Sequence, residues 1–384
     1  MTRIAILGST GSIGTSALEV IRHLGAPYRA VALSGHRQIE RLAEQAREHR
    51  PAAVATADET QGRAVERLAR EIGADAHVGI DGICEMVRRD DVDMVLAAIV
   101  GAAGVRPVLA AVQAGKPIAL ANKEALVVAG SLLVPEARRR GVQILPVDSE
   151  HSAVFQAMAC GRIEEVRRVI LTASGGPFRS VPLDVMNRAT PADALNHPTW
   201  RMGTKITIDS ATMFNKALEL IEACWMFDLP PEKVEVVVHP ESVVHSMVEF
   251  VDGSVIAQLS PPDMRTPIQF ALTYPERCDG IGRRLDLGQK LALHFEPPDF
   301  ERFPALRLAY DVAERRGTLG AVLNGANEFA VSAFVAGEIP FGMISRVVEL
   351  TIREHTLVSQ PSLEDLLEAD RWSREAAARV IQRL

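Results

Sequence analysis

Short apolar runs alternate with amphipathic stretches from residue 1 to about residue 148. Ile4–Leu7, Ala30–Leu33, Ala52–Ala55, Met94–Ile99, Pro117–Ala121 and Val142–Val147 have the length and composition of strands. Ile39–His49 and Val105–Ala114 carry apolar residues at helical spacing between them. Strands alternating with helices predict an α/β unit, a parallel sheet with helices on both faces. The texture changes after residue 148. Val166–Thr172, Val234–His239, Ser242–Phe250 and Ser254–Leu259 read as strands of a second sheet, split by a polar, Pro/Gly-rich stretch from Ser174 to Gly203. Residues 286–303, with Pro297-Pro298, read as a linker. Beyond about residue 304 the apolar residues recur at helical spacing, as in Leu306–Arg315, Ala321–Phe334 and Leu363–Leu384. The expected division is therefore 1–148, 149–285, the linker 286–303 and 304–384.

A length of 384 residues suits two or three domains. Forty-two basic residues against 49 acidic ones leave a net charge of −7, so there is no electrostatic footprint for nucleic acid or for a membrane surface. The longest uncharged apolar stretch, around Met94 to Val105, is too short to span a bilayer and contains Gly101 and Gly104. Four scattered cysteines, Cys84, Cys160, Cys224 and Cys278, form no CxxC pair. That argues against a disulfide framework and a thiolate zinc site and fits a reducing compartment. Met1-Thr2-Arg3 leads directly into a strand, leaving no signal-peptide apolar region. A cytoplasmic protein is expected.

The stretch Gly8-Ser9-Thr10-Gly11-Ser12-Ile13-Gly14 lies between the first strand and an apolar-periodic segment. A strand, a glycine-rich turn and a helix make an anion site, because backbone N–H groups and the helix N-terminus face the ligand. The usual dinucleotide pattern is GxGxxG. Here Thr10 stands at the second glycine, so a plain tight turn remains an alternative. The second strand ends Leu33-Ser34-Gly35-His36-Arg37-Gln38, with no acid to bond a ribose 2′-hydroxyl. Arg37 is placed to pair with a 2′-phosphate, which favours NADP(H) over NAD(H); the alternative is a solvated surface cation.

Asp148 and Glu150 follow the strand Val142–Val147. In extended chain they face the same side. Within Asp209–Glu219, a helix capped near Asp209 or Ser210 sets Asn215 and Glu219 on one face with Lys216 alongside. Three carboxylates without cysteine or neighbouring histidine ligands suit Mg²⁺ or Mn²⁺ rather than zinc; solvated or capping carboxylates are the alternative. Ser174-Gly175-Gly176-Pro177 offers a second anion nest or an ordinary loop. Ser210, Asn215 and Lys216 add donors for a phosphorylated substrate. Trp200, in His197-Pro198-Thr199-Trp200-Arg201-Met202-Gly203, is either a core anchor or part of a lid that excludes water.

Taken together, these stretches closely resemble the 1-deoxy-D-xylulose 5-phosphate reductoisomerase family. GSTGSIG (8–14), AAIVGAAG (97–104), ANKE (121–124), LPVDSEH (145–151), SGGPF (174–178), HPTW (197–200), DSATMFNKALE (209–219), HPESVVHSMV (239–248) and PDMRTP (262–267) occur in the family's order. The resemblance implies a Rossmann-type NADPH-binding domain, a central α/β catalytic and dimerisation domain with a lid, a C-terminal helical bundle, and a homodimer. It implies that Thr10, Gly11, Ser12 and Ile13 hold the cofactor pyrophosphate region and Arg37 its 2′-phosphate, with Gln38 beside it, and that Asn122, Glu124 and Gly203 line the cofactor. Asp148, Glu150 and Glu219 would ligate the metal. Ser174, Ser210, Asn215 and Lys216 would clamp phosphate. Lys123, Ser149 and His197 would contact the substrate's polar carbons, with Trp200 and Met202 in the lid. The implied reaction rearranges 1-deoxy-D-xylulose 5-phosphate through a retro-aldol cleavage and re-addition, then reduces the aldehyde 2-C-methyl-D-erythrose 4-phosphate to 2-C-methyl-D-erythritol 4-phosphate. The departures from the family pattern are His36, where glycine is usual, Gln38, where asparagine is usual, and a short segment between Phe155 and Val166.

Two other readings make different demands. An NADP-linked semialdehyde dehydrogenase needs a nucleophilic cysteine, for which Cys160 and Cys224 are the candidates. A non-catalytic dinucleotide-binding regulator needs no carboxylate triad.

Overall fold

The computed structural model describes residues 1–200 and 202–384. Two compact units divide the chain. One comprises Met1–Ala125, Leu133–Ser152 and Asp263–Gly282; the other comprises Leu126–Leu132, Ala153–Pro262 and Arg283–Leu384.

The first unit is built on seven strands: β1 (Thr2–Leu7), β2 (Tyr28–Gly35), β3 (Ala53–Thr56), β4 (Asp75–Val78), β5 (Met94–Ala97), β6 (Ile118–Leu120) and β7 (Ile144–Pro146). Their order is β4-β3-β2-β1-β5-β6-β7 and every pairing is parallel. The apolar runs explain the sheet. Ile4, Ala5 and Ile6 are completely buried, as strands covered on both faces must be. The six strands anticipated from sequence are present. The seventh, β4, is an edge strand with no apolar run, Asp75-Ala76-His77-Val78, so periodicity does not reveal it. Strand order reverses between β1 and β5, and in open parallel sheets ligands bind beyond the strand carboxyl ends at such a point. The stretch 263–282 packs with this sheet although it follows the second sheet in sequence. Its helix Arg265–Thr273 lies against the helix Ser12–Leu24. Arg265 pairs with Asp263 at 2.7 Å, and Gln269 donates to the carbonyls of Cys278 and Asp279.

The second unit contains β8 (Val166–Ala173), β9 (Val234–Val238), β10 (Val244–Phe250) and β11 (Val255–Leu259), in the order β11-β10-β8-β9. The β8–β9 pair is parallel and the others antiparallel. Glu296 forms a backbone bridge with Val238. Behind the sheet lies Phe214–Met226, a helix buried along most of its length. The helices Ala305–Arg315, Leu319–Val335, Met343–Glu354 and Leu363–Arg383 complete the unit. The last begins at a capping box in which Ser362 and Asp365 bond reciprocally, satisfying N-terminal N–H groups. The chain is thus α/β with a parallel dinucleotide-type sheet, a second α/β sheet and C-terminal helices.

Candidate functional site

In the first unit the glycine turn closes at the carboxyl end of β1. Gly8 has φ +83°, and a Cβ there would stand 2.6 Å from the carbonyl oxygen of Ala98 at the end of β5. A Cβ on Gly14 would overlap Gly8 O and the backbone of Ser9. Both glycines are therefore required by close backbone packing. The turn is also fastened from outside. Ser34 Oγ accepts from Gly8 N–H at 3.0 Å, Ser9 Oγ bonds Gln45 Oε1 at 2.8 Å, and Gln45 Nε2 donates to Ser9 O at 2.9 Å. Gln45 was not expected from sequence; it is a buried amide on the apolar face of Ile39–His49, which is itself the signal of a specific partner. Gly11 caps the helix Ser12–Leu24 without a side-chain bond to its N–H groups, which leaves an anion cradle at the helix N-terminus. The tight turn is thus present, with the N–H groups of the helix start beside it. Thr10 is buried, while Gly11 and Ser12 are exposed.

Past β2, His36, Arg37 and Gln38 are all exposed. Arg37 lies 3.4 Å from Asp58 Oδ2, with its side chain 79% exposed. Asn122 is buried at the start of the helix Lys123–Arg140. Its carbonyl accepts from Ala125 N–H, and its amide donates to the carbonyls of Ile99 and Gly101 and to Glu124 Oε2. It thereby ties the loop after β5 to this helix. Lys123 Nζ lies 2.5 Å from Asp148 Oδ2.

The expectation that Asp148 and Glu150 share a face of an extended chain is corrected. The helix Ser149–Met158 starts immediately after Asp148, so Glu150 sits in its first turn. Ser152 N–H donates to Asp148 O, and Glu150 N–H reaches Asp148 Oδ1 at 3.4 Å. An acid at a helix start is favoured by the free N–H groups there. Ser149 Oγ donates to Glu150 Oε2 at 2.6 Å.

In the second unit, three of the expected residues meet directly. His197 Nε2 lies 3.0 Å from Ser174 Oγ and 3.1 Å from Ser210 Oγ. His197 Nδ1 accepts the backbone N–H groups of Thr199 (3.1 Å) and Trp200 (2.9 Å). An Nδ1 that accepts carries no proton, so the ring is the neutral Nε2–H tautomer and its proton faces the two serines. Burial holds the imidazole below its ordinary pKa, in the same direction. Gly176, at φ +65°, runs so close to the chain of Ser210 that a Cβ would stand 2.8 Å from Ser210 O. The Ser-Gly-Gly loop is thus packed against the segment carrying Ser210.

That segment also departs from expectation. Asp209 and Ser210 do not cap the following helix. They end the helix Thr204–Ala211, and Met213, at φ +62°, turns the chain into Phe214–Met226. Asn215 and Glu219 nevertheless share a face: the Asn215 amide donates to Glu219 Oε1, and Lys216 pairs with Glu219 Oε2. Lys216 and Glu219 are almost wholly buried. Gly203 is exposed at the start of Thr204–Ala211. Trp200 is partly exposed, 6.3 Å from His245 between ring centroids. His245 belongs to the run HPESVVHSMV, to which no individual role was given. The expected lid also includes residue 201, which lies outside the described residues.

Carboxylate oxygens beside lysines and amides form a hard donor set, suited to Mg²⁺ or Mn²⁺. Of the two buried cysteines, Cys84 and Cys224, neither is suited to nucleophilic chemistry. Burial pushes the Cys224 thiol up to about 12 and the Cys84 thiol upward, whereas a nucleophilic thiol needs the opposite shift. Among the described residues no helix is long and apolar enough to cross a membrane.

Comparison with known proteins agrees along the whole chain. The family model described as 1-deoxy-D-xylulose 5-phosphate reductoisomerase matches residues 4–130, and two C-terminal-domain models of that enzyme match 144–227 and 259–376. A protein of that name from Chlorobium chlorochromatii is 51% identical over 98% of this chain and 99% of its own. The solved reductoisomerase from Zymomonas mobilis in complex with NADPH superposes with a TM-score of 0.93 at 43% identity, covering all of both chains. A solved reductoisomerase in complex with NADPH, fosmidomycin and magnesium gives 0.95 at 41% identity, covering all of this chain and 98% of that one.

Proposed function

The chain belongs to the 1-deoxy-D-xylulose 5-phosphate reductoisomerase family, and we propose from this premise that it converts 1-deoxy-D-xylulose 5-phosphate to 2-C-methyl-D-erythritol 4-phosphate with NADPH and a divalent cation. The observation that carries the reading is kinship at about half of all positions over 98% of the chain.

Asp148, Glu150 and Glu219 would hold the cation, and the cradle at Thr10–Ile13 with Arg37 would hold the cofactor. When bound, the cation supplies Lewis-acid stabilisation of oxygen charge, and NADPH supplies hydride. The protein's own residues do the rest. Lys216, buried at the start of its helix, supplies a fixed positive charge for the substrate phosphate. Ser174, Ser210 and Asn215 donate around that phosphate. His197, neutral and oriented by the Thr199 and Trp200 N–H groups, presents its Nε2 proton on the same side. Lys123 offsets the Asp148 carboxylate and reaches the substrate's polar carbons. Asn122, by holding the Ile99–Gly101 loop, and Glu124 and Gly203 shape the cofactor's surroundings. Trp200 and Met202 would cover the substrate and exclude water, keeping a reactive fragment in place.

We further propose a cytoplasmic homodimer. Unpaired cysteines support a reducing compartment. The edge strand β11 and the turn before it expose Val251, Val255 and Leu259, a surface that a second copy would cover.

The test is loss of NADPH absorbance on adding 1-deoxy-D-xylulose 5-phosphate, with Mg²⁺ and again with a chelator. Metal-dependent oxidation is expected. Folded, NADPH-binding protein that oxidises nothing under either condition would refute the proposed reaction.

A further inference from the structure

We propose that Asn327 is a positioning residue for the phosphate-binding corner, acting through Asp209; the proposal rests on the reductoisomerase reading above. Asp209 lies in the last turn of Thr204–Ala211, one residue before Ser210, and is 1% exposed. A carboxylate there opposes the free carbonyls at its own helix end, so it is held only where donors are supplied. Two are present. Lys205, one turn earlier, lies 2.6 Å from Oδ2. Asn327 Nδ2, on the helix Leu319–Val335, donates to Oδ1 at 2.9 Å.

Asn327 is completely buried, and its own Oδ1 has no hydrogen-bond partner among the described residues. Its neighbours Ala326, Ala330 and Val331 are buried and apolar. An amide with an unpaired carbonyl in such surroundings is less stable than leucine of similar size. Its use is therefore the bond it makes, and that bond fixes where the helix Thr204–Ala211 ends. The next residue, Ser210, meets His197 at 3.1 Å, and its carbonyl is approached closely by Gly176. Three residues later Met213 turns the chain into the helix that begins with Asn215 and Lys216. Asn327 thus sets the position of the corner from behind without touching substrate.

The test compares Asn327→Leu, Asn327→Asp, and Asn327→Asp combined with Asp209→Asn, each in the full chain. Asn327→Leu is expected to fold, to raise KM for the phosphorylated substrate about tenfold and to leave kcat within about threefold, the signature of lost binding. Asn327→Asp sets two carboxylates against each other and is expected to raise KM further. The double variant exchanges donor and acceptor, and is expected to restore KM to within about threefold of wild type. Calorimetric titration with inorganic phosphate gives a second readout, in which Asn327→Leu is expected to weaken binding about tenfold. Wild-type KM and phosphate affinity in Asn327→Leu would overturn the proposal. So would a parallel fall in kcat and melting temperature that the double variant does not rescue. Wild-type protein that binds phosphate but turns over no substrate would instead defeat the functional reading, and the phosphate titrations would still decide the role of Asn327. Wild-type protein that binds neither would overturn both.

Discussion

Lys123 Nζ lies 2.5 Å from Asp148 Oδ2, with both side chains about one-tenth exposed or less. Such a pair is costly to break, because removing one partner takes a close buried counter-charge from the other. Lys123→Ala is therefore expected to destabilise the metal-free protein by about 3–5 kcal/mol. On the proposed metal site, a divalent cation at Asp148 would replace that positive charge. Mg²⁺ is thus expected to raise the melting temperature of the variant more than that of the wild type. Equal shifts in a calorimetric scan would remove Asp148 from the metal site.

Glu219 stands in the same relation to Lys216, three residues earlier in one buried helix. Glu219→Gln keeps the shape and removes the charge. It is expected to abolish turnover at Mg²⁺ concentrations that saturate the wild type while NADPH binding persists. The variant also melts earlier, since Lys216 loses a buried partner, so the metal titration is the decisive measurement. Lys216→Ala tests the proposed phosphate contact. Loss of a charge-assisted bond, about 1.5–3 kcal/mol, corresponds to a rise in KM of roughly 10- to 100-fold. An unchanged KM in steady-state kinetics would take Lys216 out of the phosphate clamp.

The parallel sheet was legible because each of β1, β2, β3, β5, β6 and β7 is an apolar run between helices. The edge strand Asp75–Val78 was not, since half its residues are exposed, none is fully buried, and it carries no apolar run. Met343–Glu354 was legible but not read: Ile344, Val347, Val348 and Ile352 recur at helical spacing. The site residues could be identified by chemical type, but their local backbone could not. Asp148-Ser149-Glu150 looks the same in sequence whether the strand continues or a helix starts. The left-handed turn at Met213 carries no glycine or asparagine to announce it. Asn327 lies 118 residues from Asp209, and one polar residue in a helical pattern does not name a partner at that distance.

His197 allows a test by pH. Burial lowers its pKa, and Nδ1 already accepts two backbone N–H groups. The folded state therefore binds fewer protons here than the unfolded state. The stabilisation is fully present above the ordinary imidazole value, and it is lost as pH falls below that value toward the lowered one. Protonation of Nδ1 displaces the Thr199 and Trp200 N–H groups, so the loop they begin is expected to loosen in the same range. A titration of the ring nitrogens by NMR is expected to show the Nε2–H tautomer with a pKa below that of free histidine. An elevated pKa, or a protonated Nδ1 at neutral pH, would refute the assigned orientation.

Arg37 separates cofactor recognition from stability. Its side chain is mostly solvated, and the 3.4 Å pair with Asp58 is of the exposed kind that contributes little. Arg37→Ala is therefore expected to leave the melting temperature within about a degree or two. A 2′-phosphate, by contrast, is present on NADPH and missing from NADH. Removing its cationic partner is expected to lower kcat/KM for NADPH by roughly 10- to 100-fold while leaving the NADH value within about threefold. Neighbouring His36 and Gln38 are exposed beside it, and Arg37→Lys distinguishes charge from shape. Lysine keeps the charge but not the planar fork, so it is expected to fall between wild type and Arg37→Ala. Unchanged discrimination between the two cofactors in Arg37→Ala would mean that another group reads the 2′-phosphate.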